Sequence, residues 1–321
     1  MSALPDGFEA GHWTDTEAVT GCTVVLAPRD GAVASGEVRG GGTGSRETEL
    51  LHPLANASRI HAVLLTGGSA YGLAAADGVM RWLERNHRGY ATPGGRVPLV
   101  PGAVIYDLVT GDPTRRPGPV EGEAACEAAT AQPELGSVGA GTGAAVGKLL
   151  GRDRAVKSGV GLVVTDLPQG QRLAALAVVN AFGDVIGEDG QVMAGPRSDD
   201  GGFRSTTAMI RAGEFGVTGF RSGQPAQNTT LVCLMTDAAV TKSGCGIVSK
   251  MAHAGMSRAV DPVHSAADGD VIFTLASGAA EEIDPMIAGV IAAAVTAEAI
   301  RDAVRRATGL AGIPALGELG A

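Results

Sequence analysis

Seven short apolar runs, each stopped by turn-forming residues, limit most sharply what this chain can fold into. They read CTVVLAP (22–28), HAVLLTGG (61–68), AVIYDL (103–108), GVGLVVTDL (159–167), RLAALAVVNAFGDV (172–185), TTLVCLMTD (229–237) and DVIFTLASG (270–278). Their composition and their flanking breakers predict strands. A strand with one wet face alternates apolar and polar side chains, whereas these are apolar almost throughout, so the sheets they build must be covered on both faces. Helices are the available cover. Between 70 and 86, Leu73, Ala76, Met80 and Leu83 recur at three- and four-residue steps behind Ser69, a candidate N-cap. Residues 239–259 carry Val248, Ala252, Gly255 and Ala259 on one face. The stretch 281–306 begins acidic (Glu281, Glu282, Asp284) and ends basic (Arg301, Arg305, Arg306), as the helix dipole favours. Its apolar stripe is expected to be Ile287, Ile291, Ala294 and Ala297, and its many small residues suit close packing between layers or subunits. Interleaved strands and helices predict an α/β protein.

The totals narrow the function classes. At 321 residues the chain can bury a substantial core. With 25 basic against 34 acidic side chains and 3% aromatics, it lacks the basic face and stacking platforms of a nucleic-acid binder. Its 18% charged and 45% hydrophobic content argues against disorder. The longest apolar run, 285–297, falls short of the roughly 20 residues that cross a bilayer. The first residues lack a basic and apolar leader, so a cytoplasmic location is expected, with no membrane partner. Cys22, Cys126, Cys233 and Cys245 have no metal-ligand spacing and read as reduced, packed thiols. The 49 glycines follow no collagen-like period and serve turns and close backbone approaches. One segment resists the α/β pattern: 188–228 is rich in breakers, with a brief helical patch around 206–215. A loop of that length is expected to be functional or flexible.

Several polar residues interrupt this framework. VGAGTGAAVGKLLG (138–151) contains Gly139-x-Gly141-x-x-Ala144 and Gly147-Lys148, but Thr142 and Leu149 stand where a phosphate-binding loop needs glycine and a hydroxyl. Nucleotide binding is therefore not expected. RGGGTGSRETELL (39–51) reads as a loop whose backbone approaches something closely. Lys148 is either a solvated lysine or a partly buried ammonium with a function, since no other charge lies between Glu134 and Arg152. Asn180 is either a turn former at a strand end or an amide aimed at a developing oxyanion. Asp268 and Asp270, two apart, would share one face of an extended chain, either as turn residues or as paired carboxylates at a catalytic edge. A metal role there is weak, because His264 is the only imidazole nearby in sequence. Thr229-Thr230, directly behind Asn228, suits a strand start because threonine is β-branched. The sharper alternative is a chain that breaks between Asn228 and Thr229, leaving a threonine whose own α-amine serves as its base.

In order along the chain, RGGGTGSRETELL, LLTGGSAYGLAAADGVMRWLE, GAVIYD, VGAGTGAAVGK, AVVNAFGDV, NTTLVCLMTDA and PVHSAADGDVIFTLASG resemble a known family over roughly residues 20–310. It is the self-processing (DmpA-like) aminopeptidase family of L-aminopeptidase/D-esterase, the β-aminopeptidases and nylon-oligomer (6-aminohexanoate) hydrolase. The resemblance implies an αββα sandwich similar to N-terminal-nucleophile hydrolases but with different connectivity. It implies one catalytic domain, 1–321, that cleaves itself into 1–228 and 229–321 and assembles as a homo-oligomer of αβ units, commonly a tetramer. By the same resemblance Thr229 is the nucleophile with its α-amine as base, and Asn228 lies on the departing side. Asn180 stabilises the oxyanion, Lys148 orients the nucleophile, Tyr106 positions substrate, and Asp268 and Asp270 form the carboxylate pair. The threonine and the Asp-Gly-Asp sequence are similar to the nylon-hydrolase branch. The aminopeptidase branch typically uses serine and a different pair. The implied activity is hydrolysis of amide or ester bonds in small peptides or ω-amino amides through an acyl-enzyme, without cofactor or metal. An acyltransferase using the same threonine and an uncleaved small-molecule-binding oligomer of the same fold are the alternatives.

Overall fold

A computed structural model describes residues 3–214 and 228–319. Two sheets lie at its centre. In the first, Glu9–Asp15, Thr20–Leu26, Ala62–Thr66, Gly102–Val104 and Ser45–Arg46 lie side by side in that order. The second runs Val160–Asp166, Arg172–Asn180, Thr229–Thr236, Val271–Ala276, Ala32–Val38 and Arg59–Ile60. Neighbours in the second sheet are antiparallel except 229–236 with 271–276, which are parallel. A parallel pair needs a crossover, and a helix at 242–259 supplies it.

Five α-helices are described: α1 (Ala75–Arg85), α2 (Pro119–Glu127), α3 (Thr206–Arg211), α4 (Lys242–Ala259) and α5 (Pro285–Arg305). Strand parity sorts the core into layers. In 172–180, Leu173, Ala175, Ala177 and Val179 pack with residues of α4 and α5, while Ala174, Leu176 and Val178 meet the other sheet. In 229–236, Val232 and Leu234 face the helices, and Leu231, Cys233 and Met235 face inward. Val79 and Leu83 of α1 and Ala125 of α2 cover the outer face of the first sheet. The result is the helix–sheet–sheet–helix sandwich expected above, and continuous apolarity follows from cover on both faces. All four cysteines are free and buried.

Several local expectations need correction. Residues 69–74 form a 3-10 turn before α1, and Ser69 has a φ of 54° and caps no helix. The run 172–185 is two strands, because Asn180 ends the first and a second spans Asp184–Ile186. Asp284 caps α5 by accepting from the Met286 N–H at 2.7 Å, so Glu281 and Glu282 precede the helix. On α5 the expected stripe is half right: Ala297 is buried and Ile291 packs partly buried against the core, but Ile287 is 37% exposed, Ala294 is also exposed, and the buried face runs through Ala288, Ala292, Val295, Ala299 and Ala303. Of the breaker-rich segment, 215–227 lies outside the described residues, and α3 is its helical patch.

Candidate active site

Parity places Thr229 and Asn180. Thr229 shares the inward face of Leu231, and Asn180 that of Val178, and the two residues pair directly across the neighbouring strand ends. Both are buried. The Thr229 hydroxyl donates to the carbonyl oxygen of Asn228, which also accepts the Gly269 N–H at 3.0 Å.

The Asn180 side chain is a hub. Its Oδ1 accepts from Lys148 Nζ at 2.6 Å and from the Ala145 N–H at 3.2 Å, and its Nδ2 donates to the Tyr106 carbonyl at 3.1 Å. Lys148 also donates to the Asn180 carbonyl at 2.9 Å. Asn180 does end its strand, and Lys148 is not a solvated lysine. Tyr106 enters through its backbone. Burial pushes the Lys148 ammonium down to about 7, against the pull of Asp268 and Asp107.

Asp268 and Asp270 enter from the turn before the 271–276 strand, and both are buried. Asp268 Oδ1 accepts the Phe182 N–H at 3.2 Å, and its Oδ2 accepts from Ser265 Oγ and from the Ser265 N–H at 3.3 Å. Burial raises the Asp268 pKa, and the charge of Asp270 adds to the shift. Asp270 Oδ1 accepts the Thr230 N–H at 2.7 Å, and Oδ2 accepts from the His264 N–H at 3.1 Å and from His264 Nδ1 at 2.8 Å. The glycine loop makes the close approach expected of it. Gly42 N–H donates to the Asp268 carbonyl at 2.8 Å, and a β-carbon on Gly40 would sit 2.3 Å from Asp270 N. No larger residue fits there.

Three features escaped the sequence. His264 is not the only imidazole: His253 of α4 lies edge-on to it, with ring centroids 4.8 Å apart. No signal in sequence joins a helix histidine to a turn. Among the described residues, no cluster of three or more His, Cys, Asp or Glu side chains is placed to hold a metal ion. Lys157 is a second buried ammonium, also lowered to about 7 by burial, and donates to the Gly141 carbonyl at 2.9 Å. It is the lone charge between Arg154 and Asp166, so the test that singled out Lys148 would have found it. Asp107, beside Tyr106, accepts from Thr20 Oγ1 and from the Gly68 N–H, each at 2.7 Å, and burial raises its pKa.

The sandwich is that of the N-terminal-nucleophile hydrolases. L-aminopeptidase D-Ala-esterase/amidase of Ochrobactrum anthropi, a variant of that fold, superposes with a TM-score of 0.70 at 17% identity, over 96% of this chain and 88% of that one. Sequence gives the narrower assignment. Residues 6–315 match peptidase family S58. An uncharacterized aminopeptidase of Mycobacterium leprae is 41% identical over 88% of this chain and 80% of its own length. The 6-aminohexanoate-oligomer endohydrolase of a Kocuria species is 30% identical over 87% of this chain and 74% of its own. The chain belongs to peptidase family S58 and is a hydrolase of amide bonds. Among the described residues no helix is long and apolar enough to cross a membrane.

Proposed function

We propose that the chain is a self-processing threonine amidohydrolase. The observation that carries this reading is the Asn228–Thr229 junction. The threonine hydroxyl lies against the carbonyl of the preceding peptide, and the Gly269 N–H polarises the same oxygen. Attack of Thr229 Oγ on the Asn228 carbonyl carbon shifts the acyl group from nitrogen to oxygen. Water hydrolyses the ester, releasing the Asn228 carboxylate and leaving Thr229 with a free α-amine. That amine, with an ordinary pKa near 8, then accepts the hydroxyl proton as Oγ attacks a substrate amide. Asn180, paired directly across from Thr229 on the same inward face, meets the oxyanion through its side-chain amide. Lys148 adds positive charge through Asn180, and Asp268 and Asp270 support the amine. Loss of the amine product leaves an acyl-enzyme, which water hydrolyses.

The substrate class follows the relatives' names: small peptides and linear amides of amino acids, ω-amino oligomers included. The two parts, 1–228 and 229–321, form one αβ unit. Units associate into a homo-oligomer, a tetramer by family resemblance, for which the exposed Met286, Ile287 and Val290 of α5 offer an apolar stripe. The test is Thr229→Ala. It is expected to run as one uncleaved band on a denaturing gel and to lose amidase activity by about 10³-fold or more. Wild-type protein should give fragments 1–228 and 229–321 by mass spectrometry. Two bands from the variant, or retained activity, would refute the assignment.

A further inference from the structure

We infer that His264 is a positioning residue for this reaction: its ring Nδ1–H fixes the Asp270 carboxylate in the orientation that holds the first residues of the nucleophile's strand. The inference rests on the reading of Thr229 above. Asp270 is almost fully withdrawn from solvent, and a buried carboxylate persists as an anion only where donors meet both oxygens. Thr230 supplies one donor, and His264 supplies the other two, its main-chain N–H and its ring, both to Oδ2. A carboxylate anion only accepts, so Nδ1 carries the hydrogen.

Two features distinguish this ring from an ordinary packed histidine. Its Nε2 is buried without a hydrogen-bond partner among the described residues, so its polar engagement is with Asp270. Its backbone has a φ of 55°, the left-handed region a β-carbon disfavours, and there the main-chain N–H and the ring reach the same oxygen. The titratable groups around it are Asp268 and Asp270 on its own turn and His253 from α4, and His253 in turn feels the charge of Arg39 just past the 32–38 strand. His253 donates from Nε2 to the Glu37 carbonyl at 3.1 Å. Burial takes its pKa down to about 4, so it backs the ring as a neutral group.

Removing the imidazole leaves Oδ2 with a single main-chain donor. The carboxylate can then turn away from Thr230. The variants that isolate this effect are His264→Gly and His264→Asn. Both residue types tolerate a positive φ, but only asparagine returns a side-chain N–H. The glycine variant is expected to lose tenfold or more in kcat with KM little changed. The asparagine variant should recover most of that loss. A glycine variant with the wild-type kcat, or an asparagine variant no better than glycine, overturns the inference. Should the glycine variant melt early, the nitrogen spectrum of ¹⁵N-histidine-labelled wild-type protein decides: a proton on Nδ1 of His264 supports the inference, and the Nε2-only tautomer overturns it. These outcomes are separable from the fate of the nucleophile. An inactive, uncleaved Thr229→Ala beside a wild-type-like His264→Gly removes only the role of His264. An active or cleaved Thr229→Ala removes the reading of Thr229 itself.

Discussion

Asp184, four residues past Asn180, shows how burial sets a charge. Its Oδ2 accepts the Thr206 N–H at 2.6 Å and its Oδ1 the Thr206 hydroxyl at 2.5 Å, which anchors the first turn of α3. Loss of water outweighs those donors and raises its pKa to about 7, and Asp261 adds to the shift. The folded state thus holds the proton more tightly than the unfolded chain. The resulting stabilisation is complete below the ordinary carboxylate value of 3.8 and is lost as pH rises through about 7. Asp184→Asn keeps an acceptor for the Thr206 N–H and a donor for its hydroxyl but carries no charge. Its melting temperature is expected to match wild type near pH 5 and to exceed it near pH 8. Asp184→Ala leaves Thr206 unpaired and should cost roughly 1–3 kcal/mol at both. Lys148 and Lys157 titrate in the same range with the opposite sign, but they are present in every variant and cancel in the comparison. Equal melting profiles for wild type and Asp184→Asn across this range would show that Asp184 is not held neutral.

The elements that could be read from sequence were those whose apolar residues are large and consecutive. Six of the seven runs hold most of a strand, AVIYDL (103–108) only the end of Gly102–Val104, and the 239–259 and 281–306 patterns became α4 and α5. The strands EAGHWTD (9–15) and AVASGEV (32–38) and the helix PVEGEAACE (119–127) were invisible, because small and polar residues do their packing. Ser35, for example, donates from inside its strand to the Leu51 carbonyl at 2.8 Å. Half of the α5 stripe failed for a related reason. Hydrophobicity pointed to Ile287, but the helices approach so closely that a β-carbon on Gly255 would lie 1.9 Å from the Ala293 carbonyl oxygen. Size, not hydrophobicity, selects the buried face there. Gly255→Val is therefore expected to cost about 3 kcal/mol or more, whereas Ile287→Ser should stay within about 1 kcal/mol. The urea midpoints of the two variants compare them directly, and similar losses would contradict this packing. At the site, Asn180 and Lys148 stood out because each breaks an apolar or uncharged run, and Thr229 because it opens one directly behind Asn228. His264 did not, since its value depends on a turn folding back onto Asp270.

The two parts that cleavage after Asn228 would produce are interleaved rather than adjacent. Residues 229–321 contribute 229–236 and 271–276 to the second sheet, with α4 and α5 over it. The first of these strands pairs over its whole length with 172–180, and the second with 32–38, both from the other part. Every residue of the two inserted strands is buried. At roughly 1.5–3 kcal/mol for each large apolar side chain withdrawn from water, pulling this pair out would cost far more than the usual 5–15 kcal/mol stability of a domain. Severing one bond at a strand end changes none of these contacts. The fragments are therefore expected to stay together in native mass spectrometry and gel filtration, to part on a denaturing gel, and to unfold in urea in one transition. Fragments that separate in native buffer would mean the inserted strands do not hold the unit together. Because Asp270 grips Thr230 and Asn180 faces Thr229 from strands that remain paired, a new α-amine would stay where the surrounding groups can use it.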